Sequence, residues 1–156
     1  VARDTEPETI ARAAAEVVAE ERAEESGRWR RAGGLVRPVE APVALGFGEM
    51  AGGTRNEGVD FAAPAGAPVV AAADGEVALV SEALGGLGTI VLMRHPNELL
   101  TVYGRLTEVT VARGDIVRRG ERIGAVARPE PPAEPRMHFE VREGARSVDP
   151  MAFLDN

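Results

Sequence analysis

Cysteine is absent from the 156-residue chain, which excludes disulfides and thiolate zinc sites and leaves the redox compartment open. Lysine is absent too. All eighteen basic residues are arginine, so no Schiff base forms and no lipoyl or biotinyl group has an attachment point. No apolar run approaches the roughly 20 residues a membrane-spanning helix needs. No signal-peptide pattern is visible, and the chain begins at Val1, so a processed or shortened chain is expected. The length suits one domain, or one domain with an appendage, and is enough to bury a core without covalent staples.

The charge is unevenly placed. Of the net −7, residues 1–27 supply −5, from eight acids (Asp4, Glu6, Glu8, Glu16, Glu20, Glu21, Glu24, Glu25) against Arg3, Arg12 and Arg22. Neither part carries the basic footprint of a nucleic-acid binder. Residues 6–26 read as a helix: Thr5 and Glu8 have capping-box spacing, Pro7 sits in the first turn, and Ser26-Gly27 is a stop signal. Ile10, Ala14, Val17 and Val18 form one thin apolar stripe, too little to stabilise a lone helix of about 20 residues. The helix is expected either to pack on something or to continue a longer coiled coil.

Gly33-Gly34, Pro38 and Pro42 punctuate residues 28–45, which read as a linker turning into a lead-in strand, with Trp29 pinning it to the rest. Beyond Val43 the pattern is all-β. Short β-branched runs (59–62, 68–72, 76–81, 89–94, 99–103, 108–111, 122–127 and 137–142) alternate with Gly, Pro, Asn and Asp turns. The expectation is an acidic helix over 1–27, a linker over 28–45, and a compact antiparallel β sandwich or partly open barrel over 46–156. His95, in the turn before Pro96, reads as a surface residue.

Four segments then occur in order: RNEGVDFAAPAGAPVVAAADGEV (55–77), GTIVLMRHPNELLTVYGRL (88–106), VARGDIVRRGERIGAV (111–126) and PRMHFEVREGARSVDP (135–150). Together they resemble the LytM, or lysostaphin-type, zinc endopeptidases, with their His-x-Gly-x-Asp, Tyr-x-His-Leu, Gly-Asp-x-Val hairpin and His-x-His-Phe-Glu motifs. The resemblance implies a lysostaphin-like fold with a groove. In active members it implies zinc held by the His and Asp of the first motif and the second His of the His-x-His pair, with the two other motif histidines activating water. In this chain Asp60 and His138 stand at ligand positions, but Asn56 replaces the first ligand His. Arg105 and Arg136 replace the two water-activating histidines, and ARPEPPAEP (127–135) replaces the usual Gly- and Ser/Thr-rich loop.

Two ligands and a neutral amide make a poor hydrolytic zinc site, and Arg, always protonated, cannot be a general base. At ~4 Å and an effective dielectric near 20, each guanidinium disfavours a unit charge of like sign by about 4 kcal/mol, and a dication by twice that. Arg105 or Arg136 is expected to pair with Asp60 instead. The resemblance thus narrows to degenerate LytM domains of the NlpD, EnvC and DipM kind. It implies no metal, no cofactor and no catalysis. It also implies a groove lined by Asn56, Asp60, Tyr103, Arg105, Arg136 and His138 that binds and activates periplasmic N-acetylmuramoyl-L-alanine amidases during cell-wall remodelling and division in a Gram-negative bacterium. The acidic or amphipathic helix of such an amidase suits an Arg-lined groove. Two other functions stay open: an active zinc-dependent peptidoglycan endopeptidase, and a direct peptidoglycan-binding module. The N-terminal helix, with Glu16, Glu20, Glu21, Glu24 and Glu25, is also a candidate plug for the groove.

Overall fold

The computed structural model describes residues 10–17, 34–82 and 88–154. In chain order the strands are β1 (Val43–Leu45), β2 (Met50–Ala51), β3 (Thr54–Arg55), β4 (Val59–Phe61), β5 (Pro68–Val70) and β6 (Gly75–Ser81). They continue with β7 (Thr89–His95), β8 (Leu99–Thr107), β9 (Ile116–Val117), β10 (Arg122–Val126), β11 (Met137–Glu143) and β12 (Arg146–Val148). One large antiparallel sheet runs β1-β4-β11-β8-β7-β6-β9, with β12 on β11. β10 pairs with both β5 and β8, which folds the sheet back over its own core. The β2–β3 hairpin stands apart; Gly52 and Gly53 both have positive φ, 58° and 80°, as a two-residue turn of this hand requires.

Strand alternation divides the sheet into two faces. Val59 and Phe61 of β4, Met137, Phe139 and Val141 of β11, Tyr103 of β8, and Val91 and Met93 of β7 point into the main core. The facing side of the same strands carries Asp60, His138, Glu140 and Arg142, then Val102 and Leu100, then Leu92. Residues 10–17 are helical and lie on this second face. Ile10, Ala14 and Val17, the expected stripe, are buried against Ala78, Ile90, Leu92, Leu100 and Val102. Val18, Trp29 and the acids beyond Glu16 in the expected helix lie outside the described residues.

The expected strand over 108–111 does not form. β8 instead runs to Thr107, and Glu108 takes a left-handed φ of 51° that turns the chain out of the sheet. Part of the expected linker is core. Leu35 is fully buried and bridges to Leu154, Val36 N donates to Ala72 O, and Val70 N donates to Pro38 O. Among the described residues, no helix is long and apolar enough to cross a membrane.

Candidate functional site

The site is a row of side chains on the second face, built by the register of three strands. β11 pairs His138 with Asp60 of β4 on one side and with Gly104 of β8 on the other. Gly58 lets β4 approach this closely, since a Cβ there would meet Phe139 O at 2.2 Å and the Glu140 side chain at 2.7 Å. His138 Nδ1 donates to Asp60 Oδ1 at 2.7 Å, and Nε2 to Glu140 Oε2 at 2.8 Å. Arg142 continues the row, donating from Nε to Glu140 Oε1 and from Nη1 to Ala145 O. Asp60, His138, Glu140 and Arg142 are all buried.

With both carboxylates ionised, one proton assignment satisfies the row. Ionised carboxylates only accept hydrogen bonds, so an imidazole held between two of them must donate from both nitrogens and carry a positive charge. Burial alone would lower the His138 pKa. The hydrogen bonds to Asp60 and Glu140, and their charges, outweigh burial and raise it to about 9. Asp60 responds in kind: burial would raise its pKa, but the His138 hydrogen bond and charge, then the charges of Arg105 and Arg136, hold it below its ordinary value.

Arg105 and Arg136 form the solvent side of the row. Arg136 Nη1 lies 3.5 Å and Arg105 Nη2 4.0 Å from Asp60 Oδ2, with side chains 39% and 36% exposed. Arg136 reaches this face by ordinary alternation, two residues before His138. Arg105 reaches it through a bulge: Val91 pairs with Tyr103 and Thr89 with Leu106, so β8 carries one residue more than β7 between these points. Arg105 absorbs it with a left-handed φ of 64°, an uncommon conformation for a non-glycine residue. Asp60, Arg105, Arg136, His138 and Glu140 share a cleft of about 180 Å³ with Asn56, Arg55, Glu57, Leu45 and, from the N-terminal helix, Ile10.

Asn56 lines this cleft as expected, but its amide braces the backbone: Nδ2 donates to Leu45 O and Oδ1 accepts from Gly58 N. Tyr103 is a correction. It is fully buried on the opposite face, packs against Phe139 with ring centroids 5.5 Å apart, and its hydroxyl accepts from Ala72 N at 3.0 Å. The same bulge that puts Arg105 in the cleft turns Tyr103 away from it. His95 is a second correction, being fully buried rather than at the surface. Its Nδ1 donates to Asp74 O at 2.6 Å, its Nε2 bonds the Thr101 hydroxyl at 2.8 Å, and Thr101 bonds the Tyr103 hydroxyl at 2.8 Å. Burial pushes the His95 pKa down to about 4 and the Tyr103 pKa up to about 12, so both are neutral near pH 7. Gly75 makes room for the ring: a Cβ there would meet His95 Nδ1 at 2.5 Å. Sequence reasoning also passed over Glu140 and Arg142, although alternation from His138 places both on its face.

With this geometry in hand, the family is settled. Residues 54–150 match Peptidase family M23, and the chain belongs to that family. Among curated proteins it is 33% identical over 123 residues to cell division protein DipM of Caulobacter vibrioides, covering 75% of this chain and 20% of that one. It is 32% identical over 117 residues to murein hydrolase activator NlpD of Escherichia coli K12, covering 75% of this chain and 30% of that one. The chain thus spans less than a third of the length of either relative. Among solved structures, a zinc-containing peptidase from Vibrio cholerae superposes with a TM-score of 0.68 at 30% identity, over 76% of this chain and 39% of that one.

The family includes zinc enzymes, but the donor set here does not fit the ion. Both His138 nitrogens are spent on carboxylates, the Asn56 amide is spent on backbone, and two guanidiniums stand within 4.0 Å of Asp60. A ligand histidine must be neutral with a free lone pair, so an ion here would have to displace a proton and a carboxylate hydrogen bond from His138. The two positions where the family resemblance places water-activating histidines carry Arg105 and Arg136, and a guanidinium, always protonated, does not act as a general base.

Proposed function

We propose that this domain is a non-catalytic member of its family, a pseudo-peptidase whose cleft binds and activates a periplasmic peptidoglycan amidase of the N-acetylmuramoyl-L-alanine class in cell-wall remodelling and division. The observation that carries this reading is the closed Asp60–His138–Glu140–Arg142 row, in which the residues left from a metal site satisfy one another and Arg105 and Arg136 stand over them. A site with no metal ligand free and no base is stable without chemistry, yet it presents two half-exposed guanidiniums to a partner. Similarity to a murein hydrolase activator and to a cell division protein supports the same reading. The domain organisation proposed with it is an acidic N-terminal helix, a connecting segment, and the M23 domain from residue 46 onward.

The helix adds a regulatory element to this proposal. Residues 10–17 cover an apolar strip of the same sheet face, and Ile10 reaches the cleft. Its displacement would extend the cleft along Leu92, Leu100 and Val102, offering an amphipathic partner both charge and apolar surface. Removing residues 1–27 therefore increases affinity for the amidase.

Release of dye from labelled cell wall tests the proposal. The domain alone releases nothing, with or without zinc, and it accelerates release by a cognate amidase. Chelator-sensitive cleavage by the domain alone would establish the zinc-endopeptidase function instead. Sedimentation with cell wall in the absence of amidase, without any acceleration when amidase is added, would establish a peptidoglycan-binding module.

A further inference from the structure

Arg105 and Arg136 are engaged with the protein only weakly. Their contacts are ion pairs to the single oxygen Asp60 Oδ2, at the long distances of 4.0 and 3.5 Å, and Arg105 Nε is buried without a hydrogen-bond partner. Each guanidinium presents a planar fork of N–H donors that matches a carboxylate two bonds at a time, and most of that capacity is unused here. The surroundings favour an anion. Along the row itself, Arg105, Arg136 and Arg142 stand against Asp60 and Glu140, an excess of positive charge even before the His138 charge is added, in a chain of net charge −7. The Arg55–Glu57 pair at the cleft rim leaves that balance unchanged.

The same two arginines also line a second concavity, of about 520 Å³, on the side of the 127–135 loop. Its other walls are Gly88, Ala127, Pro129 and Ala133, which are small or apolar, together with Arg128, Glu130 and Glu134, one further cation and two acids. This volume is in the range of small-ligand sites, whereas the cleft of about 180 Å³ over Asp60 has room for little more than a single functional group. A phosphate dianion would meet Asp60 at close range, and the repulsion makes a monoanion the better fit.

We propose that Arg105 and Arg136 form a receptor for one carboxylate, borne by a small ligand whose short apolar body lies in the concavity beneath the 127–135 loop. This site stands independently of whether an amidase binds the domain. A short peptide with a free C-terminal carboxylate has the right chemistry: a planar anion at one end and a small, extended body behind it.

The test is a titration of the full chain with N-acetyl-alanyl-alanine as free acid and as C-terminal amide, followed by calorimetry and by the side-chain Nε–H signals of arginine in NMR spectra. The free acid is expected to bind at least tenfold more tightly than the amide, to shift the Arg105 and Arg136 signals, and to weaken with added salt. Arg136→Gln and Arg105→Gln, checked for unchanged thermal unfolding, each lower the affinity for the acid at least tenfold. Arg136→Lys, which keeps the charge but loses the fork, recovers only part of it. Equal affinity for acid and amide, or acid binding untouched in folded Arg136→Gln, would overturn the proposal. Inorganic phosphate binding more tightly than the free acid would overturn the carboxylate assignment as well.

Discussion

The chain has only two histidines, and the sheet holds them in opposite states. His95, on the core face, is tied to a carbonyl and a hydroxyl and is held neutral. His138, on the cleft face, is tied to two carboxylates and is held charged. Both are buried, so burial does not distinguish them. The difference lies in what accepts their protons: a dipole cannot offset the desolvation of an imidazolium, and two anions can. Two buried histidines of one sheet thus differ by their neighbours rather than by their exposure.

The largest way to break this contrast is to take an anion from His138. Glu140→Ala leaves His138 and Arg142 as buried cations without their shared partner, and a loss of about 3–5 kcal/mol in denaturant-unfolding free energy is expected. Loss under about 1 kcal/mol would mean the row does not carry the charges assigned to it.

Next comes pH. His95 folds with its pKa lowered to about 4, so its contribution is complete above its unfolded value near 6.5 and fades as pH falls toward 4. His138 folds with its pKa raised to about 9, so its contribution is complete below about 6.5 and is lost as pH rises through 9. Each shift corresponds to about 3 kcal/mol, and thermal stability should peak near pH 6–7. His95→Gln should flatten the acid side of the curve and His138→Gln the alkaline side. Variants that flatten the opposite sides would reverse the assignment.

A smaller effect is expected at Tyr103. Tyr103→Phe leaves Ala72 N–H and the Thr101 hydroxyl short of a partner within the core, a cost of about 1–3 kcal/mol with no change in ligand binding at the cleft. Smallest is Arg136→Gln: the side chain is more than a third exposed, so its pairing with Asp60 is screened and should contribute under about 1 kcal/mol to stability.

Much of this was legible in the sequence. Turn residues and β-branched runs located most of the long strands, and the order of the four motifs gave the architecture. The substitutions at 56, 105 and 136 drew attention to the cleft, and the ion pairing of Asp60 followed from charge alone. The errors trace to contacts that a linear pattern does not encode. Period-two alternation places Tyr103 and Arg105 on one face, and a single-residue bulge separates them. His95 sits among turn signals, Pro96 and Asn97, yet the missing side chain of Gly75, twenty residues earlier, opens the space that buries it. The short strands β2, β3, β9 and β12 are two or three residues long and carry no periodicity to detect.

Protonation of His138 is the most direct check on the account. In ¹⁵N NMR spectra at pH 7, both ring nitrogens of His138 should show the shifts of a protonated imidazolium, unchanged when zinc is added in excess. A neutral ring with one unprotonated nitrogen, or a zinc-induced shift of that nitrogen, would show that the site still offers a metal ligand and would contradict the reading of this domain as a pseudo-peptidase.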